Sequence, residues 1–354
     1  VTIRSFRAEN FRCLERIEFD ANPRHNLIFG ANASGKTSLL EAVAYLGRGK
    51  SFRGSPATQL IRHGSQEFTL FGTVDRGTRE SRIGVRNSRE GLEVRVDGDG
   101  SGGVASLADA LPLQVIDPEI HDLVGGGPEF RRRYLDWIAF HVEQDFLAIW
   151  RRFRRALRQR NAALRTGQGI DAWTTEFLEW GDRMDGIRRR VLGRSEDALA
   201  RFSRELLGDG VGLEYRQGWP GDKTLDAALR DSRERDQLAG ATHLGPHRGD
   251  LHLAYDERQA RRLVSRGQQK LLACAMVLTA TAVVQDVTGR RMLLLLDDPA
   301  AELDSQSLGR LLDAVFSLDC QVIATALDPG SLNFPEPPSV FHVEHGKLTP
   351  ASGH

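Results

Sequence analysis

Residues Gly30-Ala-Asn32-Ala-Ser-Gly35-Lys36-Thr37-Ser38 place glycines, a lysine and hydroxyls in the spacing GxxxxGK[ST]. Glycines let a backbone curl until several N–H groups face one anion, and a following helix adds the positive end of its dipole. In such a loop Gly30, Asn32 and Gly35 shape the cradle. Lys36 reaches the β- and γ-phosphates of a nucleotide, Thr37 offers its hydroxyl to Mg²⁺, and Ser38 adds a phosphate contact. A second group of chemical interest is Met292-Leu-Leu-Leu-Leu-Asp297-Asp298. Four leucines read as a strand buried on both faces, with two acids at its carboxyl end, where open α/β sheets bind ligands. Asp297 then serves Mg²⁺, directly or through water, and Asp298 orients or deprotonates an attacking water. The other reading of two acids ending a strand is a cap on the next helix.

Shortly before that strand, Ser265-Arg266-Gly267-Gln268-Gln269 opens a helix and resembles the ABC signature S-x-G-Q. Ser265, Gly267 and Gln268 then form a second anion site at a helix N-terminus. In ABC proteins this site grips the γ-phosphate bound by the other subunit, so ATP joins two protomers. The plainer reading is an N-cap by Ser265. Glu302-Leu303-Asp304 fits a D-loop. Gln114 fits a glutamine that senses Mg²⁺ and the γ-phosphate, or equally a solvent-facing strand residue. Arg12 stands where SMC-type heads place an arginine against nucleotide, or is a surface arginine. Gln321-Val-Ile-Ala-Thr325-Ala lacks the switch histidine of transport ATPases. Asp298 stands where ABC ATPases usually carry Glu, and its shorter reach predicts slow hydrolysis.

These residues need elements to hold them. Asn26–Phe29 reads as a strand running into the glycine loop, and Ser38–Leu46 as the helix leaving it. Alternation from Phe68 to Val96 reads as a β-meander, and Gly98–Gly103 as a flexible turn. From about 128 to 240 helical periodicity dominates, and all five tryptophans lie there. Trp150, Phe153, Leu157 and Leu164 make an apolar stripe at helical spacing. Strand and helix signals alternate again from 241. The expected domains are 1–115 and 241–354, which together form an ATPase core, and 116–240, an inserted helical lobe.

Net charge is zero, so any nucleic-acid contact must come from local patches. Arg151, Arg152, Arg154, Arg155, Arg158 and Arg160 form a run with no acid inside it. Such a run predicts salt-dependent phosphate binding, with Arg151, Arg152, Arg155 and Arg158 as the foremost candidates. Arg131–Arg133 and Arg188–Arg190 are further clusters. The alternative is a solvated helix face paired with nearby acids. Cys13, Cys274 and Cys320 are scattered without a CxxC pair, which points to a reducing compartment and to neither zinc nor a disulfide framework. Leu271–Val284 is apolar but reads as a buried helix, not a membrane span.

Taken together, several stretches resemble the RecF family of SMC-like, ABC-type ATPases. They are Asn10-Phe11-Arg12, the glycine loop, Gln114-Val-Ile-Asp-Pro118, Gly126–Trp137, Gly245-Pro-His-Arg-Gly-Asp250-Leu251, Ser265–Leu272 and Leu294–Asp298. The resemblance covers nearly the whole chain. It implies an α/β P-loop ATPase head with a β-meander lobe and an inserted helical lobe too short for a long coiled coil. It also implies ATP and Mg²⁺ as cofactors, an ATP-dependent homodimer on double-stranded DNA, preference for gaps or junctions, and RecA loading with RecO and RecR in the cytoplasm. The Gly245-Pro-His-Arg stretch is a family mark whose residues reveal no role, and His247 reads equally as a packed turn residue. Two other classes make different demands on the sequence. A transport ATPase subunit needs the missing histidine; a nucleotide-gated scaffold needs binding without efficient hydrolysis.

Overall fold

The computed structural model describes residues 1–77, 79–255, 258–259 and 265–351. In chain order the elements begin β1 (Thr2–Phe11), β2 (Leu14–Asp20), β3 (His25–Phe29), α1 (Lys36–Arg48), β4 (Glu67–Asp75), β5 (Glu80–Ser88), β6 (Gly91–Val96), α2 (Gly103–Ala110) and β7 (Leu113–Ile116). Next come α3 (Asp122–Gly125), α4 (Pro128–Val142), α5 (Phe146–Thr166), α6 (Ile170–Leu207), β8 (Val211–Arg216), α7 (Leu225–Asp231), α8 (Arg233–Ala239), β9 (Asp250–Tyr255), β10 (Arg258–Gln259) and α9 (Arg266–Thr288). The chain closes with β11 (Met292–Leu296), α10 (Pro299–Glu302), α11 (Ser305–Phe316), β12 (Cys320–Ala326), β13 (Ser339–Glu344) and β14 (Lys347–Pro350).

The described chain divides into two compact units, Val1–Ile120 with the segment from Gly289 onward, and His121–Thr288. The first unit holds two sheets. A six-stranded sheet runs β14-β13-β3-β12-β11-β7, all parallel except β14. Every residue of β11 and β12 is buried, as strands covered on both faces require. The second sheet, β2-β1-β4-β5-β6, is antiparallel and contains the expected meander. Its strands alternate buried and open residues, Phe68, Leu70 and Val74 facing inward along β4. Helix α1 shares one core with both sheets, and Phe11, Tyr45 and Phe68 meet edge-on within it. Gly103, expected in a flexible turn, instead starts α2.

The second unit is mostly helical, built on the α5–α6 pair. Phe153, Phe177, Trp180, Leu225 and Leu229 form its central cluster, with Leu164 in a smaller one beside it. It also contains a three-stranded sheet, β10-β9-β8. The segment 241–288, which the sequence groups with the ATPase core, clusters with this unit. The physical reason is pairing: β9 aligns with β8 over six residue pairs, and α9 packs on α6 and α4. Helix α9 is long and apolar enough to cross a bilayer, yet Leu271–Thr281 are all buried in the fold.

Buried ion pairs lock this unit. Arg160 donates to Asp236 (2.9 Å) and Thr242; Arg131 makes a fork with Asp250 (2.8 and 3.2 Å); Arg188 does so with Asp136 (2.9 and 3.1 Å). All three arginines are buried. Arg160, Arg131 and Arg188 are therefore internal cross-links and not part of an open basic patch, which corrects the sequence reading. Gly245-Pro-His-Arg now has a structural account. A Cβ on Gly245 would stand 2.6 Å from the Phe177 ring, the Pro246 carbonyl accepts from Arg188 (2.6 Å), and His247 Nε2 lies 3.0 Å from the Thr242 carbonyl. The His247 ring packs beside Phe153 and Phe177, and burial holds its pKa down at about 4. The stretch is a knot tying β9 to α5 and α6.

Candidate nucleotide site

Strand β3 ends in the glycine loop because each loop position tolerates what its neighbours demand. A Cβ on Gly30 would come within 2.2 Å of the Val343 carbonyl oxygen, so only glycine fits there. The loop is pinned by Gly30 N–H to Ala326 O (3.3 Å), Ser34 N–H to Ala31 O (3.2 Å) and Gly346 N–H to Ser34 O (2.9 Å). No side chain caps the start of α1, and its first turn holds no acid. Its leading N–H groups thus remain open to an anion. Lys36 is buried and donates to the Gly30 and Ala31 carbonyls (2.7 and 3.0 Å). Asn32 is exposed at the loop tip, and Ser38 lies 3.5 Å from the Cys13 thiol.

The parallel register carries the acids to this loop. β11 lies between β7 and β12, and β12 lies beside β3, so their carboxyl ends gather Asp117, Asp297, Ala326 and Gly30. Thr37 Oγ1 and Thr325 Oγ1 both donate to Asp297 Oδ1, at 3.0 and 2.9 Å. Thr325 in turn accepts the Asp298 N–H (2.8 Å), which holds Asp298 in a left-handed turn at φ 47°. Burial raises the Asp297 carboxyl and Asp298 repels it further, while the two threonine hydroxyls and the Arg53 guanidinium pull it back. Burial likewise raises Asp298, opposed by Lys36. The donors are hard oxygens, and cis ligands of an octahedral Mg²⁺ stand about 3 Å apart. The Thr37–Asp297 separation fits that edge.

Three participants escaped the sequence reading. Asp117 flanks Asp297, whose N–H donates to Ile116 O (2.9 Å), and burial lifts the Asp117 carboxyl to about 6. Arg53 is exposed and acts electrostatically on Asp297. Glu41, fully buried one turn beyond Thr37, takes a fork from Arg12, whose Nη2 also donates to Ser55 (2.7 Å). The only signal for the last was an acid within an otherwise apolar helix. It anchors Arg12 to α1 and excludes the plain surface reading of that arginine.

Gln114 is placed elsewhere. It pairs with Leu294, three residues or about 10 Å short of Asp297. Its Oε1 accepts from Arg48 at the far end of α1 (3.1 Å). It is a buried strand residue bonded to Arg48, neither beside the carboxylates nor facing solvent. In the second unit, Ser265 Oγ accepts the Gln268 N–H (3.3 Å) and Gln268 Oε1 accepts the Ser265 N–H (3.0 Å), a reciprocal capping box at the start of α9. Ser265, Gly267 and Gln268 are all exposed. As an acceptor in the cap, the Ser265 hydroxyl keeps its own proton free to donate. Asp304 caps α11 by accepting the Ser307 N–H (2.9 Å).

With this geometry in hand, comparison with known proteins gives a consistent result. The model of the RecF/RecN/SMC N terminal domain matches residues 2–348. The DNA replication and repair protein RecF of Cellvibrio japonicus is 36% identical over 99% of each chain. That of Stutzerimonas stutzeri is 39% identical over 97% of this chain and 95% of its own. Among solved structures, the recombination mediator protein RecF with ATP superposes with TM-score 0.90 at 23% identity, over 99% of this chain and 98% of that one. An Smc head bound to the C-terminal winged-helix domain of ScpA superposes at 0.62 and 16% identity, with the same coverages. These two structural likenesses establish a shared fold. The chain belongs to the RecF family of DNA replication and repair proteins, within the wider RecF/RecN/SMC group.

Proposed function

We propose that this chain is an ATP-driven switch of recombinational DNA repair: ATP with Mg²⁺ closes a homodimer on double-stranded DNA, and slow hydrolysis releases it. The observation that carries this reading is the single oxygen of Asp297 shared by Thr37 and Thr325, beside Lys36 and an uncapped helix start. Bound Mg²⁺ would neutralise charge on the β- and γ-phosphates. Lys36 would exchange its loop carbonyls for phosphate oxygens. Thr37 and Asp297 would hold the metal, and Asp298 would orient the attacking water. Ser265 and Gly267, exposed at the start of α9, would meet the γ-phosphate held by a partner copy. Arg12, fixed by Glu41, would line the nucleotide side of α1.

The neighbours named as recombination mediators in the RecFOR pathway support action with RecO and RecR; the preference for gapped or junction DNA and the loading of RecA are part of the proposal and rest on the family resemblance. Cys13, Cys274 and Cys320 are not joined in disulfides, which fits a reducing cytoplasm. The test is mass in solution with and without ATP and Mg²⁺, with duplex DNA followed in the same samples. The expected result is monomer without nucleotide, dimer with ATP, DNA retained with the dimer at physiological salt, and loss of both in Ser265→Arg. Nucleotide binding with no change in mass or DNA retention would show that Ser265 does not act across a dimer.

A further inference from the structure

Many arginines of the second unit are neutralised by acids. Arg131, Arg160 and Arg188 are buried in ion pairs, while Arg183, Arg190 and Arg194 are exposed but held by Glu179 or Glu143. Helix α5 differs. It contains no acid over its 21 residues, and Arg151, Arg152, Arg154, Arg155 and Arg158 are all exposed. Among the described residues none of these five has an ion-pair partner. Three acids on the adjoining helices are engaged elsewhere: Glu176 accepts from Trp180 (2.9 Å), Glu179 pairs with Arg183 (3.1 Å) and Asp171 with Arg233 (2.8 Å). Exposed arginines with no acid beside them make a local positive potential that attracts an anion of matching extent, even on a chain of zero net charge.

We infer that the outward face of α5 is the duplex-DNA interface of this chain, that it grips phosphates and not bases, and that one protomer carries it complete. The inference rests on the DNA-binding reading above and adds its location, its mode and its independence from nucleotide. Arg151, Arg155 and Arg158, at i, i+4 and i+7, form one stripe about 10 Å long. That length matches about three phosphates of one strand, at roughly 3.4 Å of axial rise each. Arg152 is held differently: its guanidinium lies 4.6 Å from the Trp180 ring centroid, as does that of Arg183. Arg154 lies 5.3 Å from Trp150. These stacked guanidiniums give the patch fixed charge at low entropic cost. An ATP dimer doubles the patch and extends retention to higher salt, but at low salt a single protomer suffices.

The experiment measures affinity for a labelled blunt duplex between about 50 and 200 mM salt, with and without ATP–Mg²⁺. It compares wild type, R151Q/R155Q/R158Q, and R82Q/R89Q/R95Q, which removes the same charge from exposed positions of β5, β6 and the turn between them. The α5 variant should lose about 2.7 from the slope of log K against log salt, at about 0.9 per phosphate contact. Its affinity near 100 mM salt should fall at least about tenfold, in both nucleotide states. The sheet variant should match wild type, and ATP-driven dimerisation of the α5 variant should persist, showing it folded. The inference is overturned if wild type binds and the α5 variant keeps its slope. It is equally overturned if the sheet variant loses as much, or if the α5 variant loses only its ATP-dependent binding. Failure of wild type to bind duplex in any nucleotide state would instead sink the DNA-binding reading itself.

Discussion

At the scale of single residues, the site is organised around one carboxylate oxygen. Thr37, thirty-odd residues from the start of the chain, and Thr325, near its end, both donate to Asp297. The hydroxyl of Thr325 therefore does for Asp298 what no neighbouring residue in sequence could do, fixing its backbone through the N–H. Asp117 shows the cost of crowding acids at strand ends. Burial lifts its carboxyl to about 6, above the usual value near 3.9. The folded chain then binds more protons than the unfolded chain between about pH 4 and 6. Stability is fully present below that window, falls as pH rises through it, and stays lower above it. Asp117→Asn should accordingly stabilise the nucleotide-free protein by about 2–3 kcal/mol at pH 8 and hardly at all near pH 4. Urea unfolding at the two pH values checks this; an equal effect at both would mean that packing, not charge, governs the position.

At the scale of elements, the same helical positions do different work in α5. Its inward residues Phe153 and Ala156 build the central cluster, while Arg160, on the same side, cross-links to α8 through Asp236. Asp236 is fully buried and also accepts from the His243 ring and backbone N–H groups. Removing it leaves a buried guanidinium unpaired, the costly way to break a buried ion pair. Asp236→Ala should lower the stability of the second unit by roughly 3–5 kcal/mol, read as a shift in its denaturation midpoint, whereas Arg151→Ala should leave that midpoint in place. A small loss in the Asp236 variant would mean that water replaces the carboxylate. The capping box of α9 works on a smaller scale. Ser265 and Gln268 close each other's backbone groups, so the helix start is ordered before any ligand meets it.

At the scale of the whole molecule, one unit is assembled from both ends of the chain and the other from its middle. The nucleotide-binding loop and the acids lie in the first; the capped start of α9 and the α5 arginines lie in the second. The proposed cycle needs both, and hydrolysis separates it from a static scaffold. Asp298→Asn keeps the fold of the strand end, because Thr325 bonds the backbone N–H of that residue and not its side chain. A cycling clamp should then bind ATP, dimerise and stay closed on DNA, with turnover reduced by at least about 100-fold, the lower end of the range for a positioned acid–base group. DNA release kinetics check this. Unchanged release, or full repair activity in cells, would favour the scaffold.

The sequence by itself determined what is local or periodic. The strand, glycine loop and helix of residues 26–48 are contiguous, so their chemistry is written in one short run, as are the leucines before Asp297 and the alternation of the meander. The tertiary structure decided everything that depends on which distant side chains meet. Gln114 was a site residue by its neighbours in sequence and an Arg48 partner by its place in β7. Arg160 and Arg158 look alike in the run of arginines, yet one faces Asp236 inside and the other faces water. Segment 241–288 carries the texture of the core but pairs with β8. Thr325, Asp117 and Glu41 became parts of the site only when the register of parallel strands and the packing of α1 set them there. Short-range backbone preferences reach a few residues, whereas burial, ion pairing and strand register join residues hundreds of positions apart.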